Sequence, residues 1–316
     1  MTKIIFMGTP QFAVPSLQLL IDEGYEIAAV VTQPDRPVGR KRVLTPTPVK
    51  ALALQHDIPV WQPEKLRTST TVEDIKAAMP DLIVTAAYGQ ILPKQVLDVP
   101  RLGCINVHGS LLPAYRGGAP IQRSIMNGEQ ETGVTIMYMA EGMDTGDMIS
   151  RAALPITDED NAGTMFEKLS LVGAELLKDT LPKLIAGDIQ AEPQDEALAT
   201  YSPNLKREDE RIDWNRTSRE LFNQVRGLVP YSGAYTTWND EVFKIWAMRV
   251  PESSKTHAGT PDAEPGTVLA VSETGIVVQT GDGTVTLTEV QPAGKKAMAV
   301  QDFARGGKLT PGTVLL

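Results

Sequence analysis

An apolar run at residues 4–7 stops at Gly8-Thr9-Pro10, an amphipathic segment follows, and a second apolar run occupies 27–31. Strand, helix and strand within about 30 residues make a βαβ unit, which requires a parallel sheet and a right-handed crossover. The helix is read from Phe12, Leu17, Leu20 and Ile21, with Pro15 near its start and Gly24 past its end. The alternation continues. Helices are expected at 49–56, 72–79 and 164–184, and buried strands at 82–87, 104–108 and 135–139, with another starting near Val60. Residues 1–190 therefore read as one α/β domain with a mostly parallel sheet.

Composition then shifts. Residues 191–209 are polar, interrupted by Pro193 and Pro203, and read as a linker. From 210 to 316 the chain holds a helix near 218–227 and short runs rich in Val, Thr, Ile and Trp. Five strands are expected, at 233–238, 242–250, 266–271, 276–279 and 284–290, with Gly281-Asp282-Gly283 as a hairpin turn. Five short strands point to a small all-β barrel, a class that includes OB-like folds. Residues 252–265, with Ser253, Ser254, Gly259, Pro261 and Pro265, read as a mobile loop. A length of 316 residues agrees with two domains at roughly 150 residues each.

Several functional classes drop out on composition. The single cysteine, Cys104, excludes an internal disulfide framework and a cysteine zinc cluster. His56, His108 and His257 have no ligand spacing, so no metal is expected. The net charge of −9, from 30 basic and 39 acidic residues, excludes a uniformly basic nucleic-acid binder but not a local basic patch. No apolar run approaches the roughly 20 residues of a membrane span, and residues 1–8 are too short for a signal peptide. A cytoplasmic protein without membrane contact is expected.

Four stretches bear on chemistry. Gly8-Thr9-Pro10-Gln11-Phe12-Ala13 lacks the second and third glycines of a dinucleotide fingerprint, although Asp35 stands where a ribose-binding acid would. In Gly103-Cys104-Ile105-Asn106-Val107-His108-Gly109, strand alternation puts Asn106 and His108 on one face, at the carboxyl end of a strand. An asparagine amide and a histidine there can stabilise an oxyanion and move a proton, or simply form a satisfied polar pair. Glu141-Gly142-Met143-Asp144-Thr145-Gly146-Asp147 offers two aspartates in a loop after a strand, and spacing does not choose between Asp144 and Asp147 as the partner of His108. From Arg36 to Lys50 there are five basic residues and no acid, among Pro34, Pro37, Pro46 and Pro48. This exposed loop can hold phosphates or be an ordinary solvated basic loop.

The combination of Asn106-x-His108, Ser110-Leu111-Leu112-Pro113 and Asp144-x-Gly146 resembles the signature of the 10-formyltetrahydrofolate-dependent formyltransferases. Within them the chain is similar to the methionyl-tRNA formyltransferases along nearly its whole length. The segments that carry this are Thr32–Pro37 with the basic loop, 103–113, Arg116-Gly117-Gly118-Ala119-Pro120-Ile121-Gln122, 131–137, Arg211-Ile212-Asp213-Trp214 and Gln291-Pro292-Ala293-Gly294-Lys295-Lys296. The resemblance implies a Rossmann-like catalytic domain, a linker and an OB-like tRNA-binding domain. It implies formyl transfer from 10-formyltetrahydrofolate to initiator methionyl-tRNA by a monomer. Asn106, His108 and Asp144 are then catalytic, Ser110, Leu111, Leu112 and Pro113 bind folate, and Arg40, Lys41 and Arg42 bind tRNA. Gln90-Ile91-Leu92-Pro93 is similar to part of the pterin pocket.

Two other readings compete. A formyltransferase for a small amine would have no use for the basic loop or the C-terminal barrel. An inactive tRNA-binding module would not need all three of Asn106, His108 and Asp144.

Overall fold

The computed structural model describes residues 1–251, 263–306 and 308–316, so most of the expected 252–265 loop lies outside the described residues. The chain divides into two compact units, each built around its own sheet. One comprises Met1–Pro120, Glu131–Pro155 and Phe166–Pro203, and the other Ile121–Gln130, Ile156–Met165 and Asn204–Leu316.

The first unit opens with the βαβ unit read from the sequence: β1 (Lys3–Gly8), α1 (Val14–Asp22) and β2 (Glu26–Val31). A two-stranded antiparallel hairpin of β3 (Arg36–Val38) and β4 (Val43–Thr45) follows where a basic loop was expected. Next come α2 (Pro48–Gln55), β5 (Val60–Trp61), α3 (Thr71–Ala78), β6 (Leu82–Ala86), α4 (Lys94–Leu97) and β7 (Cys104–His108). Thr47 starts α2 by accepting the Lys50 amide at 3.1 Å, with Pro48 in the first turn where its missing N–H costs nothing. After α5 (Pro120–Met126), which beyond Pro120 belongs to the second unit, β8 (Glu131–Tyr138) and β9 (Met148–Pro155) complete the sheet, and α6 (Ala162–Ala186) follows, part of the first unit from Phe166 on.

The sheet order is β5-β2-β1-β6-β7-β8-β9. The five strands from β5 to β7 are parallel, and β8 and β9 are antiparallel. This is a Rossmann-like arrangement. The chain runs outward through β2 and β5, then returns to the other side of β1 through β6 and β7. The crevice at that reversal, at the carboxyl ends of the strands, is where open α/β sheets bind ligands. Ile4, Ile5, Phe6 and Met7 are wholly buried, as strands covered on both faces must be. Gly173 of α6 lies against Val107 and Val134: a Cβ there would come 2.8 Å from the Val107 side chain. The helix therefore covers the Val107 face of β7, leaving Asn106 and His108 on the opposite one.

The second unit carries α7 (Ser218–Leu228), then β10 (Ala234–Trp238), β11 (Glu241–Arg249), β12 (Val268–Ser272), β13 (Gly275–Gln279), β14 (Thr284–Gln291), β15 (Met298–Ala299) and α8 (Val300–Ala304). The sheet is antiparallel, ordered β10-β11-β14-β13-β12, with β15 on β14, and is OB-like as expected. A reciprocal Thr217–Glu220 capping box starts α7. Its apolar face, Leu221, Val225 and Leu228, packs into a core with Trp214, Phe243, Ile245 and Leu287. The Trp214 indole N–H donates to Thr236 Oγ1 at 3.0 Å, so this ring is buried without an unpaired donor.

Candidate active site

Asn106 and His108 stand at the carboxyl end of β7, as alternation requires. Across the sheet, β6 pairs Thr85 with Asn106 and β8 pairs Thr135 with His108. Both threonines are buried and both serve the site. The Thr85 hydroxyl donates to Asn106 Oδ1 at 2.8 Å, which leaves the Asn106 NH2 as the free donor end of the amide. Thr135 Oγ1 donates to the Ser110 carbonyl at 2.7 Å and accepts the Leu112 amide at 3.1 Å, fixing the turn that follows β7.

That turn is internally satisfied. Ser110 Oγ donates to the Ala114 carbonyl at 2.7 Å, Leu112 is fully buried, and Arg151 of β9 donates to the Leu112 carbonyl at 3.3 Å. The Leu112-Pro113 peptide is cis. Ser110 and Leu112 are thus engaged inside the protein, and Leu111 and Pro113 are partly exposed.

His108 is buried, with 6% of its side chain exposed. Its Nε2 lies 3.0 Å from the Tyr115 carbonyl oxygen and its Nδ1 3.8 Å from Asp144 Oδ2. A carbonyl only accepts, so Nε2 carries the hydrogen and Nδ1 faces the carboxylate. Asp144 comes from the loop between β8 and β9 and has a φ of 52°. Its Oδ2 accepts the Gly117 amide at 2.8 Å. Asp147 is exposed and makes a different contribution: its carbonyl accepts the Tyr138 amide at 2.9 Å. The loop lies tight on the strand end, since a Cβ on Gly146 would overlap the Tyr138 carbonyl oxygen. Asn106, His108 and Asp144 therefore converge from two segments, and Asp147 stays outside.

Three other carboxyl-end loops, after β1, β2 and β6, are tied to one another. Thr9 Oγ1 donates to the Tyr88 carbonyl at 2.9 Å, and Gln33 Nε2 donates to the same oxygen at 3.2 Å. Gln90 is engaged structurally, accepting the Leu66 amide at 2.8 Å and donating to the Pro63 carbonyl at 3.1 Å. Asp35 pairs with Lys50 at 2.8 Å and accepts from Gln62 at 2.7 Å, contacts that hold its carboxyl below the usual aspartate range. Burial pushes the Cys104 thiol up to about 12, so it is an inert core residue. Among the described residues, no group of three or more His, Cys, Asp or Glu side chains is placed to hold a metal. No helix among them is long and apolar enough to cross a membrane.

Arg40, Lys41 and Arg42 stand at the tip of the β3–β4 hairpin. Gly39 and Arg42 close the turn through a 3.1 Å backbone hydrogen bond, both at positive φ. Of the five basic residues, Lys50 pairs with Asp35 and Arg36 with Glu64 at 3.1 Å. Among the described residues, the three at the tip make no ion pair, and all are exposed.

The family model for formyl transferases matches residues 2–181, and that for the formyl transferase C-terminal domain matches 204–308. The methionyl-tRNA formyltransferase of Bacillus subtilis (strain 168) is 58% identical over 316 residues, covering 100% of this chain and 98% of that protein. The chain belongs to the methionyl-tRNA formyltransferase family. Another member, from Listeria monocytogenes serotype 4b (strain F2365), is 57% identical over 307 residues, covering 97% of this chain and 96% of its own. The fold reaches beyond the methionyl-tRNA formyltransferases. An N-formyltransferase from Helicobacter canadensis, solved with folinic acid and dTDP-3-aminofucose, aligns at TM-score 0.68 and 20% identity, covering 92% of this chain and all of that one.

Sequence reasoning gave no site role to Thr85, Thr135, Tyr115, Gly117 or Arg151. Each acts through a partner distant in sequence or through a backbone group, and neither leaves a local pattern.

Proposed function

We propose that this chain transfers the formyl group of 10-formyltetrahydrofolate to the α-amino group of initiator methionyl-tRNA, giving N-formylmethionyl-tRNA for translation initiation. Membership of the methionyl-tRNA formyltransferase family over both units supports the donor and the acceptor. The observation that carries the chemical reading is the meeting of Asn106, His108 and Asp144 at the carboxyl end of β7.

In this reading the amine nitrogen attacks the formyl carbon. A C–N bond forms and the carbonyl electron pair moves onto oxygen, giving a tetrahedral intermediate. The Asn106 NH2 donates to that oxygen. His108 donates from Nδ1 as the imidazolium, because its Nε2–H is already given to Tyr115. Asp144 supplies the negative charge opposite Nδ1 and takes the amine proton directly or through a water. The intermediate collapses as the oxygen's electron pair re-forms the carbonyl and the bond to N10 breaks; N10 takes up the proton held by Asp144, directly or through a water, as tetrahydrofolate leaves.

Ser110, Leu111, Leu112 and Pro113 are assigned to folate binding. With Ser110 and Leu112 turned inward, the turn offers shape and the exposed faces of Leu111 and Pro113. Arg40, Lys41 and Arg42 are assigned to tRNA phosphates, and the enzyme is taken to work as a cytoplasmic monomer.

The deciding experiment is a formyl-transfer assay with 10-formyltetrahydrofolate and three acceptors: initiator methionyl-tRNA, elongator methionyl-tRNA and glycinamide ribonucleotide. Formylation of the initiator alone is expected. Transfer only to the small amine overturns the acceptor, and tRNA binding without transfer to any acceptor overturns the enzyme.

A further inference from the structure

The loop bearing Asp144 is clamped by a side chain fifty positions away. Gln194 Nε2 donates to the carbonyl oxygens of both Asp144 and Gly146, each at 2.7 Å. Gln194 Oε1 accepts from Arg116 Nε at 3.0 Å. An arginine only donates and a carbonyl only accepts, so this amide has one workable orientation. Flipping it would set NH2 against the guanidinium and oxygen against two carbonyls.

Arg116 is itself immobilised. Its side chain is 1% exposed, and its two terminal nitrogens form a fork on the Glu196 carboxylate at 2.9 and 2.8 Å. Those bonds hold the guanidinium above its ordinary value and the Glu196 carboxyl below its own. The backbones are joined as well: Arg116 N donates to the Thr200 carbonyl and Ser202 N to the Arg116 carbonyl, at 2.9 and 2.7 Å. A buried arginine thus anchors the segment around Gln194, and Gln194 grips the Asp144 loop at two carbonyls, one of them that of Asp144, the residue held at positive φ.

We propose that Gln194, oriented by Arg116 and Glu196, is a positioning residue for formyl transfer. It fixes the backbone of the Asp144 loop so that the carboxylate stands opposite His108 Nδ1. This rests on the assignment of Asp144 to the chemistry. The segment around 194–202 then belongs to the active-site machinery although none of its side chains touches a reacting atom.

The test is a double-mutant cycle on the full-length enzyme, joining Gln194→Met, which keeps the side-chain volume and removes both donors, with Asp144→Asn. Gln194→Met should lower kcat by about tenfold, the scale of a misplaced catalytic group. The KM for 10-formyltetrahydrofolate should change by less than about twofold. In the Asp144→Asn background the same substitution should change kcat by less than about twofold, because its route to the reaction is already cut.

An equal loss in both backgrounds, or no loss in the wild type, overturns the proposal. Near-wild-type turnover of Asp144→Asn alone overturns the assignment of Asp144, and the clamp's role with it. Should Gln194→Met fail to fold, Glu196→Gln loosens the same chain from its exposed end. Run through the same cycle, it should lower kcat in the wild type and leave Asp144→Asn unchanged; any other pattern overturns the proposal.

Discussion

The Nδ1 of His108 stands 3.8 Å from Asp144 Oδ2, beyond hydrogen-bond reach but well within that of charge. The other ring nitrogen is committed to the Tyr115 carbonyl, so Nδ1 bears a hydrogen only when the ring is charged. Asp144→Asn keeps the shape and the Gly117 hydrogen bond but removes the negative charge that stands opposite Nδ1. Its kcat should fall by about 10²-fold or more, as when charge stabilisation is lost in other active sites. Asp147→Asn, on an exposed side chain, should stay close to wild type. Steady-state kinetics on methionyl-tRNA read both, and the reverse order would show that Asp147 is the acid.

Asn106→Ala removes a donor without touching a charge. The expected loss is about 10²–10³ in kcat, the cost of deleting one oxyanion donor elsewhere. Folate affinity, followed by equilibrium titration, should persist, because the 110–113 turn proposed to bind folate is held by Thr135 and Arg151 rather than by Asn106. Turnover within a few-fold of wild type would remove Asn106 from the oxyanion site.

Much of this site was legible in the chain. The βαβ pattern needs only the placement of apolar runs, and the shared face of Asn106 and His108 follows from strand alternation. The two aspartates were indistinguishable by spacing. What separates them is a backbone at positive φ that turns Asp144 inward, and nothing near Asp144 in the sequence encodes it. β9 went unread for a different reason. It is an edge strand with one face half-exposed, so Ser150 and Arg151 break the apolar run that marks the inner strands. Gln194 sits in a polar stretch where glutamine is ordinary, and its partners lie 48 to 78 positions away.

The hairpin tip makes a salt-dependence prediction. Arg40, Lys41 and Arg42 are exposed and, among the described residues, without ion pairs, so their charges are available to phosphates. Replacing all three by alanine should weaken tRNA binding. It should also flatten the slope of log K against log salt by about 2 to 3, since each phosphate that is no longer neutralised removes close to one unit. Folate binding should not move, because the substitutions leave the 110–113 turn and its hydrogen bonds unchanged. Filter binding across a salt series measures this, and an unchanged slope would return the tip to a solvated loop.

The Arg116–Glu196 pair predicts how stability responds to acid. The Arg116 fork holds the Glu196 carboxyl below its ordinary value of 4.5. A carboxyl with a depressed folded-state pKa binds its proton more weakly when folded. Its contribution is present above the unfolded value and is lost as pH falls through the folded one. Glu196 is itself exposed, so solvent screens its charge and the contribution is modest. Arg116 is buried, however, and losing its counter-charge leaves an unpaired guanidinium in the interior. Glu196→Gln should therefore melt below the wild type at pH 7. The difference in Tm should shrink as the pH is lowered below the ordinary glutamate value and through the depressed folded-state one, because protonation leaves the wild-type carboxyl as neutral as the amide. Calorimetry of both proteins across that range measures the gap. A gap that stays constant with pH would mean that the fork contributes shape and hydrogen bonding but no charge to stability.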